Sequence, residues 1–280
     1  MRSSYCSRDS IFREEPIFAT VPRVNRWWLF EYPGPWKSDA IESARLPRSY
    51  ARDLPPGERQ LLIRHHYRWV SPLRCYLADS YELSSFLSRI DLLNYCEPVE
   101  LEALPRTVVD GHLFLVCTHG THDKCCAKFG LPVYKAIREI VGERAWQCSH
   151  VGGDRFAGNV VMMPEGVYYG HVSPEEAPML IAACERGEIY LPAYRGRCSY
   201  PRIVQAAEYF LRRETGKLRW SDLRLVAWDR HSVRFSASEG EFHVELKRTR
   251  LPFNLLTCKA HEPAEPAPSF ELVGIHLVND

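Results

Sequence analysis

The sequence lacks any hydrophobic run long enough to cross a bilayer. Its longest apolar stretches, such as 27–30 and 160–163, are far shorter than the roughly 20 residues that a membrane-spanning helix needs. The first ten residues, MRSSYCSRDS, also contain no apolar run of the kind that a secretion signal has. We therefore expect a cytoplasmic protein that has no membrane anchor.

An excess of charge of either sign is also missing. The formal net charge is +1, and the lysines and arginines are scattered along the chain instead of gathered in one stretch. A nucleic-acid-binding protein usually carries a basic patch that attracts the phosphate backbone. We therefore predict that nucleic acid is not a partner.

No C-x-x-C motif occurs, although the 280 residues include ten cysteines. A dithiol oxidoreductase needs that motif at a helix N-terminus, where the helix dipole lowers the pKa of the thiol, so this class is excluded. Cytoplasmic thiols stay reduced, and the cysteines are therefore not expected to form a disulfide framework. The roles that remain for the cysteines are metal or iron–sulfur binding and packing in the core.

The cysteines cluster in the middle of the chain. An apolar run over 112–116 ends on Cys117, a polar loop carries Cys125 and Cys126, and a helix leads to a second strand that delivers Cys148 and His150. A strand fixes one ligand in place while the following loop can wrap others around a metal. We therefore place the function in this segment.

Several donor sets fit this segment. Thiolate and imidazole suit both tetrahedral zinc and an iron–sulfur cluster, and four donors can be drawn from Cys117, Cys125 or Cys126, Cys148, His150 and Asp154. The C-x2-C pairs of zinc ribbons and the C-x4-C-x2-C spacing of plant-type ferredoxins are both absent. A cysteine hydrolase that uses Cys117 or Cys126 with His150 has no role for the additional cysteines.

Hydrophobic patterning predicts three regions in an α/β protein. Residues 1–106 are predicted to form an N-terminal α/β half, with a helix that begins at Ser80 and a seam at 97–105. Residues 107–199 have the order strand, helix, strand, strand, helix of a thioredoxin-like module. The first of these helices is expected to have Pro132 in its first turn, and the second follows a capping box at 173–176.

Residues 200–280 are predicted to be a small C-terminal α+β extension. A helix closed by Gly216 precedes antiparallel strands, and 238–240 has the composition of a hairpin turn. Cys258 and His261 have a C-x2-H spacing that is found in metal sites, but we interpret it as incidental.

Four segments together resemble the sucrase/ferredoxin-like family, whose members are similar to thioredoxin-like [2Fe-2S] ferredoxins. The segments are VCTHGTHDKCCAKFG, CSHVGGDRFAGNVV, YYGHV and RGRCSYPRIVQAAE. The resemblance covers about half of the chain strongly. It implies a thioredoxin-like ferredoxin domain with a binuclear cluster, held by a C-x8-C pair and a later H-x-G-G-H, that is, by two thiolates and two imidazoles.

Carried over position by position, the resemblance assigns the metal ligands to this chain. The thiolates fall on Cys117 and Cys126, and the first imidazole falls on His150. The second histidine position is occupied by Asp154, which we predict to be the fourth ligand. Cys148 competes for this role, because period two along its strand places it on the same face as His150.

Three neighbouring residues are predicted to support the cofactor. Gly152 and Gly153 allow the backbone to approach, and their amides could donate hydrogen bonds to sulfur. Arg155 would offset the negative charge of the cluster.

The predicted function is that of a one-electron carrier with a [2Fe-2S] cluster, which serves an unidentified redox partner protein. An electron-transfer protein is favoured over a catalyst. The alternative is a structural zinc-binding interaction protein that uses the same cysteines and histidine. The family name also suggests a sugar-cleaving enzyme, but no close pair of carboxylates stands out as the acid and base of that reaction.

Overall fold

The computed structural model describes residues 5–43, 54–69, 71–81, 85–92, 103–251, 256–260 and 268–278. Within these ranges, no helix combines the length and the apolar character that crossing a bilayer would require. The helices are α1 (Cys6–Phe12), α2 (Lys124–Val141), α3 (Ala177–Glu185) and α4 (Arg202–Thr215).

The strands of the described residues form two sheets. The larger sheet contains β1 (Arg26–Glu31), β2 (Glu58–Arg64), β3 (Leu73–Ser80), β4 (Ser85–Leu92), β5 (Thr107–Val108), β6 (Leu113–Cys117), β7 (Ala145–Cys148), β8 (Val160–Met163), β9 (Val167–Tyr169) and β10 (Tyr194–Arg197), in the spatial order β10-β9-β8-β6-β7-β2-β1-β3-β4-β5. The smaller sheet has the order β11 (Arg224–Trp228), β12 (Ser232–Ala237), β13 (Gly240–Arg250), β14 (Pro268–Val278).

The α/β fold with a thioredoxin-like unit is confirmed. Its elements follow the chain order β6, α2, β7, β8, β9, α3, and its strands lie side by side in the order β9-β8-β6-β7. β6 and β7 are parallel, as the helical crossover between them requires, whereas β8 and β9 run antiparallel. The buried side of α2 covers this sheet through Val133, Tyr134 and Ile137, which share one apolar cluster with residues of β6 and β8.

The N-terminal strands extend the same sheet, because β2 pairs antiparallel with β7. The helix predicted from Ser80 is wrong: residues Ser85–Leu92 form β4, which pairs with β3 from Ser80↔Ser85 to Leu73↔Leu92. Leu87 and Ile90 are three residues apart, which suits a helix face, but the continuous ladder to β3 decides the conformation. Residues 97–102 of the predicted seam lie outside the described residues, and the three-region division stays a prediction.

Helix α2 begins eight residues earlier than its predicted first turn at Pro132. Its N-cap is Asp123, whose carboxylate accepts a hydrogen bond of 2.8 Å from the backbone N–H of Cys125. An aspartate N-cap satisfies one of the free N–H groups of the first turn, and this outweighs the preference of proline for that turn. Cys125 and Cys126 therefore lie on the helix and not in a polar loop.

The C-terminal region has the predicted elements. Gly216 ends α4 in the left-handed region at φ 69°, and the turn at 238–240 joins β12 to β13. A buried ion cluster fixes α4 against β10. In it, Glu208 Oε1 accepts from Arg197 Nε at 3.0 Å and from Arg212 Nη2 at 2.8 Å, while its other oxygen accepts from the Tyr194 hydroxyl.

Glu208→Gln is expected to lower the free energy of unfolding by about 3–5 kcal/mol, because it leaves two buried guanidinium groups without a counter-charge. Burial opposes ionisation, but Arg197 and Arg212 outweigh it and lower the pKa of Glu208. The stabilisation is therefore present above the ordinary carboxyl pKa and is lost as the pH falls through the lowered one. Urea unfolding at neutral pH measures the effect. Glu214→Gln on the exposed side of α4 is the control, and an equal loss in both variants would contradict the prediction.

Candidate metal centre

The site lies where two parallel strands and a helix end meet. β6 ends at Cys117 beside Cys148, the last residue of β7. Helix α2 packs closely on this edge at Gly130, where a Cβ atom would lie 2.0 Å from the Cys117 carbonyl oxygen. Because glycine has no Cβ, the first turn of α2 can approach the end of β6 and bring Cys126 next to Cys117.

Two groups of donor atoms share His150. The Sγ atoms of Cys117 and Cys126 and a ring nitrogen of His150 lie within 4.8 Å of one another, and so do donor atoms of His122, His150 and Asp154. Asp154 connects the groups, since its Oδ1 is 3.2 Å from Cys126 Sγ and 3.0 Å from His150 Nδ1. The structure thus brings together the four residues that were predicted as metal ligands.

The two competing cysteines are not among these donors. Successive residues of a helix point about 100° apart, so Cys125 faces away from Cys126, and its Sγ lies 3.1 Å from Cys258 Sγ and 3.6 Å from Cys6 Sγ. Cys148 is completely buried in the apolar core and belongs to neither group of donors.

Two glycines shape the loop between His150 and Asp154. Gly152 and Gly153 have φ values of 98° and 83°, in the left-handed region, and a Cβ on Gly153 would lie 2.6 Å from Arg195 Nη2. The short 3-10 turn Asp154–Phe156 follows directly. The tight loop therefore folds the Asp154 carboxylate back against the His150 ring.

Two arginines hold this loop, and the sequence analysis singled out neither. Arg59 of β2 donates to the carbonyl oxygens of His150 at 2.8 Å and Val151 at 3.0 Å. Arg195 of β10, whose exposed fraction is 1%, donates to the Gly152 carbonyl at 3.0 Å. Both lie on strands distant in sequence, so no local pattern identifies them.

Arg155, predicted to offset the cluster charge, forms an ion pair with Glu15 over 2.7 Å. Its guanidinium also lies over the Phe156 ring at 4.3 Å. The charge-offsetting role of Arg155 stays a prediction, and Arg195 is a second cation, buried, that contacts the same loop. Burial lowers the pKa of Arg195 to about 9.

Two histidines of the loop before α2 border the site. His119 is buried and uses both ring nitrogens: Nδ1 accepts from the His150 backbone N–H at 3.2 Å, so Nε2 must donate to the Lys37 carbonyl at 2.6 Å. These two hydrogen bonds leave His119 no lone pair for a metal. The second histidine, His122, stacks on His150, with ring centroids 3.8 Å apart and an angle of 17° between the planes.

His122 is a donor that the sequence analysis did not include. Its Nδ1 faces the Ser38 carbonyl oxygen at 3.3 Å and must donate to it, which leaves the lone pair of the neutral ring on Nε2. That nitrogen lies 3.6 Å from Asp154 Oδ2. The lone pair of His122 Nε2 therefore faces the Asp154 carboxylate, and either a proton or a metal ion between the two atoms would satisfy both.

Neighbouring groups shift the pKa values of three residues of the site. The hydrogen bond with Cys126 holds the pKa of the Cys117 thiol well below its ordinary value, and His150 acts in the same direction. Burial disfavours the charged imidazole, but Asp154 and Cys117 outweigh it and raise the pKa of His150 to about 9. Burial likewise opposes ionisation of Asp154, yet His122 and His150 lower its pKa below the usual range.

The donor set fits a soft metal or an iron–sulfur cluster. It combines two thiols, an imidazole and a carboxylate, and the buried His150 Nδ1 lies 3.0 Å from Asp154 Oδ1 without the alignment of a hydrogen bond. The sequence Cys117, His150, Asp154 also imitates a hydrolase triad. A nucleophile must reach its substrate, however, and Cys117 is only 1% exposed.

Two yeast proteins, both named altered inheritance of mitochondria protein 32, are similar to part of this chain. The protein of Meyerozyma guilliermondii is 31% identical over 99 residues, which is 31% of this chain and 35% of the relative. The protein of Saccharomyces kudriavzevii is 29% identical over 99 residues, 30% of this chain and 32% of the relative. The match thus spans about a third of the length of these curated relatives.

Solved structures of a thioredoxin-like [2Fe-2S] ferredoxin from Aquifex aeolicus are also similar to part of the chain. A cysteine-to-serine variant is 19% identical, with a TM-score of 0.27, over 30% of this chain and 97% of the ferredoxin. A second structure is 18% identical, with a TM-score of 0.29, over 33% and 97%.

The sucrase/ferredoxin-like profile matches residues 17–196, which is more than half of the 280 residues. This range contains all the donors of the two groups and both arginines that hold the loop. The chain therefore belongs to the sucrase/ferredoxin-like family.

Proposed function

We propose that this protein is a one-electron carrier that binds a [2Fe-2S] cluster. The observation that carries the proposal is the convergence of Cys117, Cys126, His150 and Asp154 at the ends of two adjacent strands. Cys117 and Cys126 would hold one iron, and His150 with Asp154 would hold the other. When bound, such a cluster takes up and releases single electrons.

The two sides of the site differ in their access to solvent, which supports electron transfer. Cys117 and Cys126 are each 1% exposed, so the thiol side excludes water. The side chains of His150 and His122 are 21% and 33% exposed. Electrons would therefore enter and leave through the imidazole edge, where the protein layer is thinnest.

The surrounding residues keep the ligands in place before any metal binds. Arg59 and Arg195 hold the backbone on both sides of Val151, and the His119 ring connects the His150 backbone to the Lys37 carbonyl. Such contacts orient ligands and raise affinity because little ordering is left for the metal to impose. The amides of Gly152 and Gly153 remain predicted donors to sulfur.

The redox partner would dock over the exposed histidine edge. The surface there includes His122, His150 and loop 36–38, whose backbone carbonyls accept hydrogen bonds from His119 and His122. A protein that docks here would lie close to His150, the proposed ligand with an exposed ring. Partner identity and the cytoplasmic location stay predictions.

Protein purified without oxygen is expected to be brown and to contain two irons and two sulfides per chain, with visible bands that bleach on reduction with dithionite. Iron and acid-labile sulfide analysis together with visible spectroscopy measure this. A colourless protein from iron-replete cells that carries zinc, lost on replacement of Cys117 by serine, would overturn the proposal and favour the structural zinc function.

A further inference from the structure

A second cluster of thiols lies apart from the proposed iron–sulfur site. Cys6 opens α1, Cys125 lies in the first turn of α2, and Cys258 belongs to the segment 256–260. Their Sγ atoms form a triangle with sides of 3.6 Å (Cys6 to Cys125), 3.1 Å (Cys125 to Cys258) and 3.5 Å (Cys258 to Cys6). Three segments that are distant in the chain thus converge on one point.

A carboxylate completes this set. A donor oxygen of Asp123 and the three sulfur atoms all lie within 4.8 Å of one another. Asp123 is completely buried, and its oxygens accept from the backbone N–H groups of Cys125 at 2.8 Å and Cys258 at 2.6 Å. Each carboxylate oxygen has a further lone pair, so these hydrogen bonds leave Asp123 able to bind a metal.

The separation of the sulfur atoms matches a tetrahedral metal. Zinc–sulfur bonds of about 2.3 Å place tetrahedral thiolates about 3.8 Å apart. The sides of 3.5 and 3.6 Å therefore need to open by about 0.2–0.3 Å, and the side of 3.1 Å by about 0.7 Å. Among the described residues, Asp123 forms no ion pair with a lysine, arginine or histidine. No cation of those residues therefore competes with a metal for its oxygens, whose remaining lone pairs can bind it.

We infer that Cys6, Cys125, Cys258 and Asp123 form a structural zinc site separate from the iron–sulfur centre. Binding of one Zn²⁺ replaces the three thiol protons, which pass to solvent, and it transfers no electron. The zinc would clamp α1 and the segment 256–260 onto the start of α2, joining residues 252 positions apart. It would thereby fix the helix turn whose next residue, Cys126, faces the other centre.

The test is a metal count on the full chain from cells supplied with both iron and zinc. We expect one zinc per chain in the wild type, in the buried-thiol control Cys184→Ser and in Cys117→Ser. Cys6→Ser and Cys258→Ser are expected to lose at least nine-tenths of the zinc while keeping the iron content and visible spectrum. Cobalt added to metal-free Cys117→Ser should give a sulfur-to-cobalt absorption band that Cys258→Ser abolishes in the same background.

The outcomes separate this inference from the proposed function. A wild type without zinc, or zinc retained after loss of both Cys6 and Cys258, overturns the zinc site. Zinc that leaves with Cys117→Ser but stays with Cys258→Ser also overturns it. A colourless protein whose zinc is lost only in the Cys6 and Cys258 variants supports the zinc site and overturns the iron–sulfur proposal alone. If Cys6→Ser fails to fold, Cys258→Ser, in a partly exposed segment, decides.

Discussion

Cys126→Ser is expected to bind at least ten-fold less iron than the wild type and to lose its visible bands, whereas Cys125→Ser is expected to keep both. Cys126 Sγ lies within 4.8 Å of Cys117 Sγ and of a His150 ring nitrogen. A serine oxygen is a much harder ligand than a thiolate, so the first iron would lose a bond that this soft site is built to make. Iron analysis and visible spectroscopy measure the difference.

The two variants form a matched pair. Both cysteines are buried in the first turn of α2 and both changes replace sulfur by oxygen, so any general cost to the helix is the same. Cys125→Ser should remove only the metal held with Cys6 and Cys258. Loss of colour in Cys125→Ser with full colour in Cys126→Ser would show that the C-x8-C spacing selected the wrong neighbour.

Spacing alone favoured Cys126 over Cys125, and the physical reason lies in α2. A polar loop could have turned either side chain toward Cys117, but a helix that begins at Lys124 fixes their directions about 100° apart. The N-cap residue Asp123 was visible in the sequence and would have identified this start. Proline in a helix interior is unusual, so Pro132 on its own predicts a helix boundary at that point.

Local patterns predicted the elements that depend on neighbouring residues. The capping box at 173–176 is present, with reciprocal hydrogen bonds between Ser173 and Glu176 of 3.0 Å and 3.3 Å. The order of the thioredoxin-like unit followed from short apolar strands and one amphipathic helix. In these cases the sequence within a few residues determines the conformation.

The contacts that shape the site depend on residues far apart in the chain. Arg59 reaches the His150 carbonyl across 91 positions, and the Lys37 carbonyl contacts His119 across 82 positions. Neither contact follows from periodicity or from a motif, because one depends on how β2 pairs with β7 and the other on how loop 36–38 comes to lie beside residues 119–122. The sequence does not identify His122 as a ligand for the same reason, since the hydrogen bond to the Ser38 carbonyl directs its lone pair toward Asp154.

The fourth ligand is the point at which this chain departs from the two-histidine pattern of its family. Asp154 is 3% exposed, and its Oδ1 contacts both Cys126 Sγ at 3.2 Å and His150 Nδ1 at 3.0 Å. His122 is a third exposed, and its Nε2 lies 3.6 Å from Asp154 Oδ2. The central and buried position of the carboxylate favours Asp154 as the ligand, with His122 beside it.

Asp154→His is expected to raise the reduction potential by on the order of 100 mV, because a neutral imidazole replaces an anionic carboxylate and leaves the oxidised cluster less negative. The variant should also gain a second titrating ring, so that its potential depends more steeply on pH than that of the wild type. Protein-film voltammetry across a range of pH measures both effects.

Substitution of each side chain in turn distinguishes the three candidates for the fourth metal ligand. Asp154→Ala is expected to lose most of the bound iron, because the second iron then keeps His150 as its single predicted protein ligand. His122→Ala and Cys148→Ser should retain the iron, since the first removes a partly exposed ring and the second a buried thiol outside both donor groups. An unchanged spectrum and potential in Asp154→Ala, with iron lost in His122→Ala, would make the centre a two-cysteine, two-histidine one in which the loop histidine replaces the missing family residue. Iron lost only in Cys148→Ser would instead make Cys148, at the end of β7 beside Cys117, the fourth ligand.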